Sequence, residues 1–253
     1  MRILLLCNNW VGWQITRWLK SQPEDDIVGL VVHPVEESKF RDQIIEAAQL
    51  DASHVVEASQ LDNPKVRQII GRLGAEMAIS AYYGHILKPE FLEGFPRGCI
   101  NVHPAYLPHN RGKDPNVWSI VEHTPAGASI HYMDAGVDTG DVITQRRIVV
   151  EPIDTGETLY HRLEVAAVEL FQESWPLIRA GKISRTPQVV SAGSFHRRCD
   201  LEEIDSIELN KNYTAQQLID IIRARTFAPY TGAFFMHEGR KVFLRLQLWY
   251  ENE

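Results

Sequence analysis

Apolar runs alternate with segments of helical periodicity between Arg2 and Ser80, and this alternation limits the folds that the chain can adopt. The run from Arg2 to Cys7 is continuously apolar, which is typical of a central parallel strand covered on both faces. Further strands are predicted at 27–33, 54–57 and 76–80, and helices at 11–20, 36–50 and 61–73. The alternation predicts an α/β fold built on a doubly wound sheet with right-handed crossovers.

The middle of the chain continues this pattern as far as a long helix. Strands are predicted at 99–103, 128–133 and 141–150, with a helix at 116–122. Asp154, followed three residues later by Glu157, resembles a capping box that opens a helix closing near Gly181. The spacing of apolar residues that is typical of helices and strands stops around 184–193. We therefore divide the chain into a large domain, 1–185, and a small carboxyl-terminal α+β subdomain, 195–253.

The tail carries its own short elements. We predict a strand at 204–209, a helix at 214–225, and two strands at 233–237 and 241–249. Glu238-Gly239 separates the last two strands, which indicates a β-hairpin. Because a two-stranded hairpin is marginally stable alone, we expect it to pack on the large domain or on a second subunit.

Composition excludes several classes of protein. A net charge of −7 disfavours a general nucleic-acid binder, which needs a basic face to offset the phosphates. The three cysteines form no CxxC pair, so the sequence predicts neither a disulfide framework nor a zinc site, and it fits a reducing compartment. The apolar run that ends at Cys7 is too short for a signal peptide or a membrane span. We therefore expect a cytoplasmic protein without a bound metal and without a membrane partner.

Asn101 and His103 form the most distinctive pair of polar residues in the chain. They stand two apart on a predicted strand that Pro104 ends, so their side chains lie on one face at its carboxyl end. Ligands bind at the carboxyl ends of strands in doubly wound sheets. An amide donor and a base of near-neutral pKa suit acyl transfer to an amine, and Asp138, on the turn before the next strand, is the candidate that orients the base.

Two familiar motifs are missing from this sequence. The first strand is followed by NNWVGW and not by GxGxxG, which disfavours a nicotinamide cofactor. No serine or cysteine stands in a nucleophile turn such as GxSxG. Direct transfer between two bound substrates is therefore favoured over a covalent enzyme intermediate.

These residues resemble the signature of the folate-dependent formyltransferases. The resemblance rests on three stretches: Asn101-Val102-His103-Pro104-Ala105-Tyr106-Leu107-Pro108, Arg111-Gly112 and Asp138-Thr139-Gly140-Asp141. It covers roughly residues 75 to 185 well and the first strands more loosely. It implies a Rossmann-like fold, catalysis by Asn101, His103 and Asp138, and 10-formyltetrahydrofolate as the formyl donor, with no metal.

The tail and one loop resemble the sugar-modifying branch, the nucleotide-sugar N-formyltransferases. The similar stretches are Arg223 to Phe234 and Tyr106 to Gly112, followed by Asp114-Pro115-Asn116. This branch implies an acceptor amine on a nucleoside-diphosphate amino-deoxysugar, for example a dTDP- or GDP-linked 4-amino-4,6-dideoxyhexose used for surface polysaccharide or O-antigen. It also implies a homodimer formed through the carboxyl-terminal region. The nucleotide itself (dTDP, GDP or UDP) stays open.

Alternative acceptors and roles remain for the same fold. Methionyl-tRNA and glycinamide ribonucleotide are alternative acceptors, although the short tail and the acidic balance do not match a tRNA-binding domain. A non-catalytic nucleotide-sugar-binding protein is the alternative from another class, and the intact Asn101, His103 and Asp138 speak against it.

The resemblance also implies binding residues. The folate ring would lie along the backbone of His85, Ile86 and Leu87 and along the loop from Tyr132 to Asp138, including Asp134. From their position at the first strand end and in the loop after Pro104, we expect five residues to contact the acceptor: Asn8, Asn9 and Trp10 at the sugar, and Arg111 or Lys113 at the diphosphate. The simpler alternatives are that Asn8 and Asn9 cap the following helix and that Lys113 is a solvated surface charge. His131 either lines the folate site or is a buried structural histidine.

Overall fold

The computed structural model describes residues 1–251 and contains eleven strands and eight helices within them. The strands are β1 Arg2–Cys7, β2 Asp26–Val32, β3 Val55–Glu57, β4 Met77–Ala81, β5 Cys99–His103, β6 Arg111–Gly112, β7 Ala126–Tyr132, β8 Val142–Ile148, β9 Phe195–His196, β10 Phe234–His237 and β11 Arg240–Phe243. The α-helices are α1 Asn9–Lys20, α2 Arg41–Ala48, α3 Pro64–Arg72, α4 Pro89–Leu92, α5 Pro115–Val121, α6 Gly156–Arg179, α7 Leu201–Asp205 and α8 Ala215–Ala224. Short 3-10 turns lie at Val35–Glu37, Ala52–His54, Ala58–Gln60, Val190–Ala192 and Arg198–Asp200.

Seven strands form one mixed sheet in the order β3-β2-β1-β4-β5-β7-β8. The first five run parallel, and β7 pairs antiparallel with β5. Strand order reverses between β1 and β4, and in such sheets ligands bind outside the carboxyl ends of the strands near this point. The predicted doubly wound α/β sheet is confirmed. The strands are apolar because the sheet is covered: β4 is buried at every position from Met77 to Ala81.

The described residues divide into two compact units. The first comprises 1–103, 129–146 and 164–188; the second comprises 104–128, 147–163 and the chain from 189 onward. The tail therefore shares its unit with two segments from the middle of the sequence. The contiguous division into 1–185 and 195–253 stays a prediction, and its last two residues lie outside the described part of the chain.

The second unit has its own small core, and its hairpin forms as predicted. Helix α5 and the start of α6 contribute Trp118, Leu159 and Leu163 to a buried cluster that Leu201 and Ala224 join. Strands β10 and β11 pair antiparallel, and both turn residues, Glu238 and Gly239, have positive φ. Two-residue hairpin turns with positive φ match the twist of the strands.

Two expectations for local structure were wrong. Residues 201–205 form helix α7 and only Ser206 bridges to Phe234, so the strand predicted at 204–209 is absent. The reason is that Leu201 and Ile204, three apart, both pack on the core of the second unit, which is a helical spacing. Strand β11 ends at Phe243, short of the predicted 249.

The cap of helix α6 also differs from the expected box of Asp154 and Glu157. Thr155 and Thr158 instead exchange hydrogen bonds, each backbone N–H donating to the other's hydroxyl at 2.9 and 3.2 Å. Asp154 accepts the N–H of Glu151 at 2.7 Å and the hydroxyl of Thr158 at 3.1 Å. The cap therefore starts one residue later than the sequence pattern indicated. Among the helices of residues 1–251, none has the length and apolar composition needed to cross a bilayer.

Candidate active site

The site is built on β5, where Asn101 and His103 point to the same face. Parallel pairing places Ser80 of β4 beside Asn101, and antiparallel pairing places His131 of β7 on its other side. All four residues lie in the first unit. Because the three strands are in register, the side chains of Ser80 and His131 reach the Asn101 amide from the two neighbouring strands.

Ser80 fixes which way the Asn101 amide faces. Its hydroxyl donates to Asn101 Oδ1 at 2.8 Å, and Ser80 is only 3% exposed. With Oδ1 occupied as an acceptor, the amide nitrogen Nδ2 must face the opposite side. Ser80 is not among the site residues predicted from the sequence, because its place beside Asn101 follows from the parallel register of β4 and β5.

His131 takes one of the two amide hydrogens of Asn101. The Nδ1 of His131 lies 2.8 Å from the carbonyl oxygen of Tyr132, so Nδ1 carries the proton and donates. The other nitrogen, Nε2, then accepts from Asn101 Nδ2 at 3.2 Å. His131 is buried at 1% exposure, and its ring orients the amide.

Asp138 completes the group from the loop between β7 and β8. Its Oδ2 lies 3.5 Å from His103 Nε2, and its Oδ1 accepts from Asn101 Nδ2 at 3.4 Å. Both His103 and Asp138 are largely buried, with side chains 8% and 13% exposed. The structure therefore brings together the three side chains that the sequence predicted as catalytic. Their contacts suit a base held beside an oxyanion donor.

The loop that carries Asp138 is tightly constrained. Asp138 itself adopts φ 55°, in the left-handed region. Asp134 Oδ1 accepts the N–H of Gly136 at 3.0 Å and the hydroxyl of Thr139 at 2.6 Å. A Cβ at Gly140 would lie 2.0 Å from the carbonyl oxygen of Tyr132, so only glycine fits there. The side chain of Asp134, expected to contact folate, is thus occupied within the loop.

The segment expected to run beside the folate has mixed exposure. Leu87 is buried in the core of the first unit, whereas Ile86 is 81% exposed. His85 lies 3.5 Å from Glu37 and 4.4 Å, between ring centroids, from His33. Both ring nitrogens of His33 have partners, Asn8 and the carbonyl of Tyr83.

The expected acceptor residues fall into both units. Asn8 occupies the N-cap position of helix α1, but its side chain makes no capping hydrogen bond; its amide nitrogen lies 3.3 Å from His33 Nδ1 and its oxygen accepts the N–H of Lys39 at 2.8 Å. Asn9 has φ 66° and accepts the N–H of Trp10 at 2.8 Å. Arg111 and Lys113 lie in the second unit, where the Arg111 guanidinium stands 5.9 Å from the ring centre of Phe195. Contact of these five residues with an acceptor stays a prediction.

The two buried thiols of the first unit, Cys7 and Cys99, are poorly suited to act as nucleophiles. Burial raises the pKa of Cys99, two residues before Asn101, to about 12, and that of Cys7 to about 12. Both thiols stay protonated near neutral pH, and a thiol is a poor nucleophile compared with a thiolate.

The family models match most of the chain. Residues 14–174 match the model described as formyl transferase, and residues 200–250 match that of the N-formyltransferase dimerization C-terminal domain. The solved 4-N formyltransferase from Francisella tularensis is 26% identical, with a TM-score of 0.86 over 99% of this chain and 98% of that one. The formyltransferase PseJ from Anoxybacillus kamchatkensis, solved with a UDP-linked formamido sugar and tetrahydrofolate, is 33% identical, with a TM-score of 0.58 over 80% and 89%.

Two curated relatives differ in their acceptor. The dTDP-4-amino-4,6-dideoxyglucose formyltransferase of Mycobacterium tuberculosis is 34% identical over 59% of this chain and 64% of its own length. The methionyl-tRNA formyltransferase of Ruminiclostridium cellulolyticum is 30% identical over 74% of this chain and 59% of its own length. The chain thus spans less than two thirds of the curated relatives that it matches. With a family match over more than half of its residues and the predicted catalytic side chains in contact, the chain belongs to the formyl transferase family.

Proposed function

We propose that this protein transfers a formyl group from 10-formyltetrahydrofolate to the amine of a nucleotide-linked amino-deoxysugar. The observation that carries the proposal is the contact between Asn101, His103 and Asp138 at the carboxyl end of β5. A neutral donor, a base and an orienting carboxylate are what acyl transfer to an amine requires. 10-Formyltetrahydrofolate supplies the formyl carbonyl; the main-chain groups of 85–87 and of 132–138 are the proposed contacts for its ring.

Asn101 provides the donor for the oxyanion that develops when an amine adds to a formyl carbonyl. Its Nδ2 has two hydrogens, one directed at His131 and one at Asp138. The contact with Asp138 is the longer, at 3.4 Å, and hence the weaker. That hydrogen is the one that exchanges its partner for the developing oxyanion, while His131 keeps the amide in orientation.

His103 takes the proton that the attacking amine must lose and returns it to the tetrahydrofolate nitrogen as the bond from that nitrogen to the formyl carbon breaks. As an imidazole it is a base near neutral pH, and Asp138 at 3.5 Å stabilises the imidazolium that forms. Asp138 remains ionised throughout and acts by charge and orientation. No serine or cysteine stands in a nucleophile turn such as GxSxG, which supports direct passage of the formyl group between the two substrates.

The acceptor class rests on the relatives and on charge. The Mycobacterium tuberculosis relative, named for a dTDP-linked amino sugar, and PseJ, solved with a UDP-linked formamido sugar, support a nucleotide-sugar acceptor. A net charge of −7 disfavours tRNA, which a basic surface would bind. We extend the proposal to a cytoplasmic role in making surface polysaccharide or O-antigen precursors.

We also propose a homodimer formed through the carboxyl-terminal region. The match of 200–250 to a dimerization domain supports it, as do exposed apolar side chains there. Val242, Phe243 and Trp249 are 38%, 48% and 66% exposed. Exposed apolar side chains of this kind are typical of surfaces that a partner covers.

Methionyl-tRNA is the second candidate acceptor, and the Ruminiclostridium cellulolyticum relative favours it. An acceptor panel separates the two proposals. The enzyme is incubated with 10-formyltetrahydrofolate and dTDP-, GDP- or UDP-linked 4-amino sugars, or with aminoacylated tRNA, and products are identified by mass spectrometry. We expect one nucleotide sugar to gain a formyl group. Formylation of tRNA alone, with a steep salt dependence, would replace the sugar proposal, and binding without transfer would make the protein a non-catalytic binder.

A further inference from the structure

We propose that Gln188 is a positioning residue for the reaction, acting by holding the turn that presents Asp138 to His103. The inference rests on the proposed function, because Asp138 matters only if His103 is the base. Gln188 lies in the segment where sequence periodicity stops, so no pattern pointed to it.

The contacts of Gln188 are specific to the Asp138 turn. Its amide nitrogen Nε2 donates to the carbonyl oxygen of Asp138 at 2.9 Å and to that of Gly140 at 2.6 Å. Its Oε1 is buried and has no hydrogen-bond partner among the described residues. The orientation of the amide is therefore settled, since a flipped amide would place Oε1 against two carbonyl oxygens.

The turn needs these two hydrogen bonds because its backbone is in an uncommon conformation. Asp138 has φ 55°, and residues other than glycine hold left-handed backbone only where the surroundings fix it. Asp134 accepts hydrogen bonds from Gly136 and Thr139, which precede and follow Asp138 in the loop, but it does not contact the Asp138 backbone in these bonds. Gln188 supplies the direct hydrogen bond to the Asp138 carbonyl itself.

Neighbouring contacts keep Gln188 in place. The Arg185 guanidinium lies 3.6 Å from the ring centre of Tyr132. The backbone of Thr186 both donates to and accepts from Val142, each at 2.9 Å. Segment 185–188 therefore crosses both ends of the Asp138 loop before its last residue reaches the turn. A residue held this way sets the direction in which the Asp138 carboxylate points.

The direct test replaces Gln188 by methionine, which keeps length and removes both donors. Gln22→Met is the matched control, because the Gln22 amide donates to the carbonyl of Trp18 at the end of α1. We expect Gln188→Met to lower kcat by about 10- to 100-fold, as for a shift of about 1 Å at a catalytic group, with both KM values nearly unchanged. Gln22→Met should leave kcat as it is. Gln188→Leu provides a second variant if the first does not fold.

A spectroscopic readout separates positioning from a loss of stability. The titratable groups that the structure places against His103 are Asp138, from the turn, and His131, from β7. If the Asp138 carboxylate moves away in Gln188→Met, the pKa of His103 falls, which an NMR titration of its ring detects without any substrate. A lower thermal midpoint with an unchanged His103 pKa and unchanged kcat would overturn the proposal.

A double-mutant cycle tests whether the loss of kcat in Gln188→Met acts through Asp138. In an Asp138→Asn background, Gln188→Met should change kcat by less than about 2-fold, because the carboxylate that it positions is gone. A full additive loss in that background would overturn the proposal. If the wild-type protein formylates no acceptor, the proposed function fails. The NMR titration of His103 still decides in that case whether Gln188 positions Asp138.

Discussion

At the scale of the residue, the chemistry of this site depends on where the two hydrogens of one amide are directed. The Ser80 hydroxyl donates to Asn101 Oδ1, while His131 and Asp138 each accept one hydrogen of Asn101 Nδ2. Asn101, His103 and Asp138 were predictable because strand alternation and the DTGD turn are local patterns. Ser80 and Gln188 were not, because their roles come from strand register and from a long-range contact that no spacing encodes.

Removing the Ser80 hydroxyl should release the Asn101 amide. In Ser80→Ala, Oδ1 loses its buried donor, so the amide can turn and kcat should fall about 10-fold, with about 1–3 kcal/mol lost from the free energy of unfolding. Steady-state kinetics and urea unfolding measure the two effects. Ser119→Ala is the control: Ser119 is equally buried at 3% and accepts from the Asn110 amide in the second unit, so it should lose stability alone. Equal kcat losses in both variants would refute the assigned role of Ser80.

Neutralising Asp138 should change both the rate and its pH dependence. Asp138→Asn removes the charge that stabilises the His103 imidazolium, and we expect kcat to fall roughly 100-fold or more. The sign of the pH effect follows from the same charge: without it the pKa of His103 falls, so the acidic limb of the kcat profile moves to lower pH. A limb that stays in place, measured from pH 5 to 9, would show that His103 and Asp138 are not coupled.

At the scale of the element, the sheet was predictable and the caps and tail were less so. Continuous apolar runs identified the parallel strands, because burial on both faces leaves little choice of residue. The strand predicted at 204–209 failed because a short apolar stretch does not by itself distinguish a strand from a helical turn. The cap of α6 shifted by one residue because Thr155 and Thr158 satisfy each other's backbone N–H groups.

One buried ion pair holds helix α8 within the second unit. Arg223 is 6% exposed and donates to Asp220 at 2.7 Å and to the carbonyl oxygens of Glu151 and Asp154. In Arg223→Ala the buried Asp220 carboxylate loses the guanidinium and keeps only Gln216 and His123, so the free energy of unfolding should fall by about 3 kcal/mol. Urea unfolding measures it, with the exposed Arg147→Ala as the control, expected within about 0.5 kcal/mol of wild type. A loss below about 1 kcal/mol would mean that the pair is dispensable.

At the scale of the whole molecule, the division into units was the least predictable feature. Sequence periodicity suggested two consecutive domains, whereas the second unit draws on 104–128, 147–163 and the tail. Which segments share a core depends on contacts between residues that are distant in sequence, and local patterns do not report these. The predicted hairpin formed, since its turn chemistry is local.

The proposed dimer can be tested by changing exposed apolar side chains of the carboxyl-terminal region. Val242→Asp with Trp249→Glu places charges on exposed apolar positions of the dimerization-domain match, so the protein should become monomeric by light scattering. Val149→Asp is the control, because Val149 is 65% exposed but lies outside that match. A dimer that survives the paired change would place the interface elsewhere.

The function proposed for Asn101 and His103 is direct formyl transfer to a sugar amine. The most direct measurement is the initial rate of tetrahydrofolate release from 10-formyltetrahydrofolate, with the nucleotide-linked amino sugar that the panel identifies. Comparing wild type with Asn101→Ala and His103→Ala, we predict a loss of roughly 100-fold or more in each variant, as for removal of an oxyanion donor or a general base. A rate within a few fold of wild type in either variant would contradict the assignment of that residue and of the site.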